Sequence, residues 1–380
     1  MNGKYQSKAA FWFARAQREC LRTLLRGLVR WPMRSELEPG CTAIIGMCSR
    51  LPEVIEANVA CLHAVRWPEL RRVVIAVDGK RGCLAPGLEA RVQTLLGDLP
   101  CEFVYYTPLQ SRIAELVALP YVYAWLSWAI AIGRVETESL LIHDYDALLL
   151  TDSVAACYRE FRTNGAVMQG VRWYKNNGIE DSDRLAATFE AFVDLRWLRR
   201  FAPIRMFHQV GSLGGRFVDF DILLELQANA ARPDQRTVVP LQESDLTHPS
   251  QMIHQYTMFR REPAGRLPCY SIPMIPFFAW LGGNKGALES ATALLRPEAS
   301  HDVRLLGDGV RVNLALLRAE HVDWLLKQML QACVSLRVLP ARDLLEYGEA
   351  LYGVAGVPAH ERWRNHFLAD QLAWVARASV

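Results

Sequence analysis

Ser139-Leu140-Leu141-Ile142-His143-Asp144-Tyr145-Asp146 joins an apolar run to two carboxylates one residue apart. Side chains alternate along a strand, so residues i and i+2 leave the same face, about 6–7 Å apart. Burial of an apolar strand gains nothing from two charges at its end. The chemical use of such a pair is to hold a hard divalent cation and, through it, a diphosphate. The structural alternative is a turn or a helix cap.

Working outward, apolar runs alternate with helical periodicity. Strands are expected over residues 42–47, 72–77, 102–106 and 139–142. Helices are expected over 52–67, 87–96 and 120–133, the first with Val54, Ile55, Val59, Leu62 and Val65 on its apolar face. This β-α-β-α-β-α-β order implies an α/β fold with a mainly parallel sheet flanked by helices. Ligands of such sheets sit beyond the carboxyl ends of the strands. Three of those ends carry suggestive groups: Cys48-Ser49-Arg50, Asp78-Gly79 and Asp144-Tyr145-Asp146.

The second half is less regular. Residues 166–171 read as a strand leading into Arg172-Trp173-Tyr174-Lys175-Asn176-Asn177, and 183–201 as a helix. Gly211-Ser212-Leu213-Gly214-Gly215 reads as a flexible loop before the apolar segment 217–226. Glu243-Ser244-Asp245 precedes a helical pattern over 249–259, and further helices are expected over 313–334, 341–352 and 360–378. His248 and His254, six apart, miss the i, i+4 spacing of a helical zinc pair. The expected division is a basic helical arm (1–36), an α/β domain (37–297) and a helical C-terminal extension (298–380).

The chain has 380 residues, about half of them hydrophobic and 22% charged, as in ordinary globular proteins. Its charge is uneven: residues 1–34 carry +7 of a total of +3, which leaves −4 for the rest. Nine scattered cysteines without a CxxC pair argue for reduced thiols in the cytosol. The apolar stretch 9–14 is too short for a secretory signal. The uncharged run 116–133 contains Pro120 and reads as a buried helix rather than a membrane span. Residues 10–31 predict an N-terminal amphipathic helix, with Leu21, Leu24, Leu25 and Leu28 beside a stripe of Arg15, Arg18, Arg22, Arg26 and Arg30. That composition suits either an anionic membrane surface or packing on the protein's own body. Neither composition nor motif points to nucleic acid.

In their order and spacing these landmarks resemble the GT-A nucleotide-sugar-dependent glycosyltransferases, the family 2-like class with a DxD motif. The resemblance covers about residues 41–300 and runs through the first strand and its turn (residues 43–50), Asp78-Gly79, Asp144-Tyr145-Asp146, and the glycine loop before the xED-like Glu243-Ser244-Asp245. It implies a metal-dependent hexosyltransferase of the GT-A (Rossmann-like) fold. Mn²⁺ or Mg²⁺ would be held by Asp146 and Asp144, with His301 as a third ligand. Ser49, Arg50, Asp78 and Asp144 would contact the nucleotide, and Asp245 or Glu243 would serve as the base of an inverting reaction. The serine between those two acids departs from the family's pattern. The implied partners are a nucleotide-sugar donor, preferably UDP-linked, and a lipid-linked or polysaccharide acceptor; the composition of residues 1–34, outside the resemblance, would place the enzyme peripherally on the inner membrane face. The competing readings are a sugar nucleotidyltransferase, whose glycine-rich signature is missing from Gly46-Met47-Cys48-Ser49-Arg50, and a non-catalytic membrane-surface protein.

Overall fold

The computed structural model describes residues 3–32, 36–261, 270–300, 303–306, 311–338 and 342–357. After α1 (Lys8–Leu25) come β1 (Glu38–Met47), α2 (Ile55–Ala64), β2 (Leu70–Val77), α3 (Leu88–Leu96) and β3 (Cys101–Tyr105). α4 (Pro108–Val117), α5 (Pro120–Arg134), β4 (Thr137–His143), β5 (Leu148–Leu149), α6 (Ser153–Thr163) and β6 (Met168–Gly170) follow. Next are β7 (Glu190–Asp194), α7 (Leu195–Leu198), β8 (Gln209–Leu213), β9 (Arg216–Phe220), α8 (Leu224–Ala230), β10 (Arg236–Val238) and β11 (Leu246–Thr247). The remaining helices are α9 (Met252–Arg261), α10 (Met274–Leu281), α11 (Ala287–Thr292), α12 (Ala319–Ser335) and α13 (Arg342–Val354).

A seven-stranded sheet has the order β10-β6-β7-β4-β1-β2-β3. β7 runs antiparallel to both its neighbours, and the other pairings are parallel. The central strands are apolar almost throughout because both faces are covered. α2, α3, α6 and α10 to α13 bury one face, while α4, α5, α7 and the end of α1 bury the other. The register pairs Met47 with Val77 and Ile45 with His143, so the carboxyl ends of β1, β2 and β4 open on one edge. The expected α/β sheet is therefore present.

Three local expectations change. Residues 183–201 are not one helix: β7 occupies Glu190–Asp194, and only the short α7 is α-helical. Within β7, Ala191 and Val193 face one core and Phe192 the other, a period of two that lets the segment pair with the open edge of β4. The glycine-rich loop is the turn of a β8–β9 hairpin, in which Gly214 and Gly215 take φ of 54° and 78°. Such a two-residue turn needs positive φ at both positions, hence the glycine pair. The helix expected over 360–378 lies outside the described residues.

The third change concerns α1, which is packed on the body. Phe11 is buried and stacks on Phe217 of β9 at 4.0 Å, and Leu25 is fully buried. Arg18 and Arg22 turn inward: Arg18 Nε donates to His208 Nδ1 at 3.0 Å, and Arg22 lies 3.7 Å from Glu225. Leu24, expected on the packed face, points outward with 53% exposure. Residues 24 and 25 are about 100° apart around a helix of this pitch, so only one can face the core.

Because His208 Nδ1 accepts from Arg18, its proton sits on Nε2, 3.2 Å from Asp219 Oδ1. Burial, with Arg18 and Lys4 nearby and against the pull of Asp219, holds His208 down at about 4. Above its unfolded value near 6.5 both states are neutral. As pH falls through the interval from 6.5 to 4, only the unfolded chain takes the proton. Acid in that window should therefore cost up to ~3 kcal/mol of stability, measurable by denaturant titration. His208→Gln should flatten this part of the pH–stability curve. An unchanged slope in the variant would contradict the assignment.

Candidate active site

Beyond the end of β4 the backbone turns sharply, and a buried asparagine holds the turn. Asn58 of α2 donates from Nδ2 to the carbonyls of Asp144, Tyr145 and Ala147 at 3.1, 3.1 and 2.8 Å. Tyr145 points into the core, where its hydroxyl donates to the Leu51 carbonyl at 2.7 Å. Asp144 and Asp146, on either side of Tyr145 in the turn, each bring a carboxylate oxygen to a common point.

The third group is His248. β11 pairs antiparallel with β5, Thr247 opposite Leu148 and Leu246 opposite Leu149. That short ladder brings the next residue back to the acidic turn. His248 Nε2 lies 3.2 Å from Asp144 Oδ2 and 3.4 Å from Asp146 Oδ1. One ligand atom from each of the three residues falls within 4.8 Å of the others. The imidazole stacks on Phe189 at 4.4 Å, and the guanidinium of Arg172 also lies 4.4 Å from that ring. Burial disfavours the charged imidazole, but hydrogen bonds and charge from the two aspartates outweigh it and raise His248 to about 10. Burial raises Asp146 against the opposing pull of His248.

The triad lines a cavity of about 1070 Å³. One wall contains Cys48, Arg50 and Asp78 with Ser127 and Trp128, and the other contains Arg172–Asn177 and Asp221. Ser49 N–H donates to Asp78 Oδ1 at 2.6 Å, joining the ends of β1 and β2. The structure thus brings Arg50, Asp78, Asp144 and Asp146 to one cavity, with Ser49 behind its wall.

It does not bring Glu243 or Asp245 there. Glu243 is exposed and paired with Lys327 at 2.9 Å. Asp245 accepts from Thr151 and Ser153 hydroxyls at 2.6 and 2.9 Å and from the Gln242 amide at 3.0 Å. Although burial works the other way, these bonds hold its carboxyl below the ordinary range, the opposite of what a base near neutral pH needs. Asp221, just past β9, is a cavity carboxylate that sequence reasoning passed over, as is the more exposed Asp181. Burial raises Asp221, reinforced by the charges of Asp219 and Asp144. His301 lies outside the described residues.

A cation taking this site must displace the His248 proton, because only the neutral imidazole offers a lone pair. Mn²⁺ affinity should fall about tenfold for each pH unit below neutrality. Calorimetry in two buffers of different ionisation enthalpy should find a proton released per ion bound, and no such release in His248→Asn. A pH-independent affinity would contradict the triad.

No family model and no curated protein matches the chain. Among solved structures, it is similar to the mannosyltransferase PcManGT from Pyrobaculum calidifontis, determined with GDP-Man and Mn²⁺ (14% identity over 86% of this chain and 95% of that one, TM-score 0.33). It is also similar to S. aureus TarS 1-349 (12%, over 82% and 90%, TM-score 0.36). The match to the galactosyltransferase LgtC is at 11% identity with a TM-score of 0.32, and covers 44% of this chain and 62% of that one. Likeness at this level fixes neither activity nor substrate, and the functional reading rests on the site.

Proposed function

We propose that the chain is a metal-dependent glycosyltransferase that moves a sugar from a nucleotide diphosphate donor to a lipid-linked or polysaccharide acceptor at the cytosolic membrane face. The observation carrying this reading is the Asp144–Asp146–His248 triad, placed where three aligned strand ends open into one large cavity. Two carboxylates and an imidazole suit a divalent ion, and the nitrogen ligand moves the set toward Mn²⁺ rather than Mg²⁺. Bound there, the ion would neutralise the charge that develops on a departing diphosphate.

The residues of the chain then have separable tasks. Asp78, with the turn at Ser49 and Arg50, offers acceptors and a cation to the nucleoside, UDP-linked or otherwise. Arg172 and Lys175 supply positive charge on the opposite wall, and Trp173 and Tyr174 supply flat apolar faces for a sugar. An acceptor hydroxyl needs its proton removed in the transition state. We assign that role to Asp221 in an inverting reaction, because its carboxyl lines the cavity and its environment favours taking a proton. Asp245 and Glu243, the bases implied by the family resemblance, are engaged elsewhere.

The test is transfer measured beside donor binding. Asp221→Asn should reduce transfer by about 10²–10⁴-fold while leaving Mn²⁺-dependent nucleotide binding intact. Asp245→Asn should keep most transfer activity and lose about 1–2 kcal/mol of stability from its broken hydrogen bonds. The reverse pattern would return the base to residue 245.

A further inference from the structure

The helix that packs on the hairpin has a second apolar face, turned to solvent. Trp12, Phe13 and Leu24 of α1 are 58, 76 and 53% exposed, and the outward positions Ala16, Cys20 and Thr23 between them are uncharged. α4 exposes two more large apolar side chains, Leu109 and Leu116, at 61 and 81%. Gln110 Nε2 donates to the Leu28 carbonyl at 2.8 Å, which ties the start of α4 to the segment that leaves α1. Five of the eight large exposed hydrophobics among the described residues thus belong to α1 and α4, which that hydrogen bond links through the segment after α1. Scattered apolar side chains are ordinary on a surface; a concentration of this kind marks an interaction site.

Charge selects the partner. Lys8, Arg15, Arg26, Arg30 and Arg112 are exposed around these side chains, and none has a carboxylate partner among the described residues. Arg15 lies 5.4 Å from the Trp12 ring. Glu19, the acid of α1, is engaged with Gln209 and Arg22, and Glu115 of α4 accepts from Ser111. A second copy of this face would set cations against cations, whereas an anionic lipid surface would neutralise them. Aromatics beside arginines suit the headgroup layer.

The patch also borders the cavity. The first turn of α5 sends Pro120, Tyr123 and Ala124 into the cavity wall and stacks Tyr121 on His208 beneath Arg18 of α1. We propose that the outward faces of α1 and α4 dock on an anionic bilayer, so that the cavity opens beside the membrane and receives an acceptor carried in it. Delivery of an acceptor rests on the transferase reading, but the docking surface does not.

The experiment is flotation of the full chain with vesicles of phosphatidylcholine alone or mixed with phosphatidylglycerol. Wild type should float with the anionic vesicles and be released by salt. Trp12→Glu/Phe13→Glu and Arg15→Gln/Arg26→Gln/Arg30→Gln should each weaken partitioning by about tenfold or more, with melting temperatures unchanged. Equal flotation of wild type and both variants would overturn the proposal, as would no flotation of wild type. So would concentration-dependent dimers in light scattering that the aromatic variant abolishes without any vesicle binding. The assay contains neither donor nor acceptor, so failure of the transferase reading would leave the flotation result unchanged.

Discussion

Two carboxylates and an imidazole held within 4.8 Å of one another are the constraint around which this molecule is arranged. Like charges at that distance repel strongly once water is withdrawn, and burial already pushes Asp146 toward its neutral form. A cation must therefore be present, whether the protonated His248 or a metal in its place. The backbone must also resist the repulsion. Asn58 does this by tying three carbonyls of one turn to α2, and the Tyr145 hydroxyl does it by anchoring the residue between the acids. A parallel sheet with aligned strand ends sets the remaining wall opposite.

The wall that carries Asp221 is tied to the N-terminal helix. Gly3 bridges to Phe217, Lys4 pairs with Asp219, and Phe11 stacks on Phe217, so the opening segment of the chain grips the hairpin that leads into Asp221. The inner face of α1 thereby braces a carboxylate of the cavity, while its outer face stays apolar and basic. A helix with two working faces explains why its arginines divide. Arg18 and Arg22 serve the interior, whereas Arg15 of α1, and Arg26 and Arg30 just beyond its end, remain in solvent.

Much of this was legible in the amino-acid order because it depended on local patterns. The central strands are continuous apolar runs, and Asp78, Asp144 and Asp146 could be placed because they directly follow such runs. What depended on long-range pairing was hidden. β7 reads as part of a helix until the open edge of β4 gives it a partner. His248 is irrelevant by spacing and enters the site only through the two-residue ladder between β5 and β11. Asp245 matched a motif, yet Thr151 and Ser153, far from it along the chain, occupy its carboxyl. Asp221 had no motif to announce it, and its position is set by the β8–β9 hairpin. In α1 the periodicity was legible, but which of Leu24 and Leu25 faces the core was decided by packing against distant residues, Leu25 joining the cluster of α4 and α5.

The central claim is that the acidic turn binds a nucleoside diphosphate through a divalent cation. Titration calorimetry of UDP and GDP, each with Mn²⁺ or with a chelator, tests it most directly in wild type and Asp146→Ala. At least one of the two nucleotides should bind wild type only when Mn²⁺ is present, and the variant should lose this binding while melting no earlier. Binding that is indifferent to the ion, or undiminished in the variant, would contradict it.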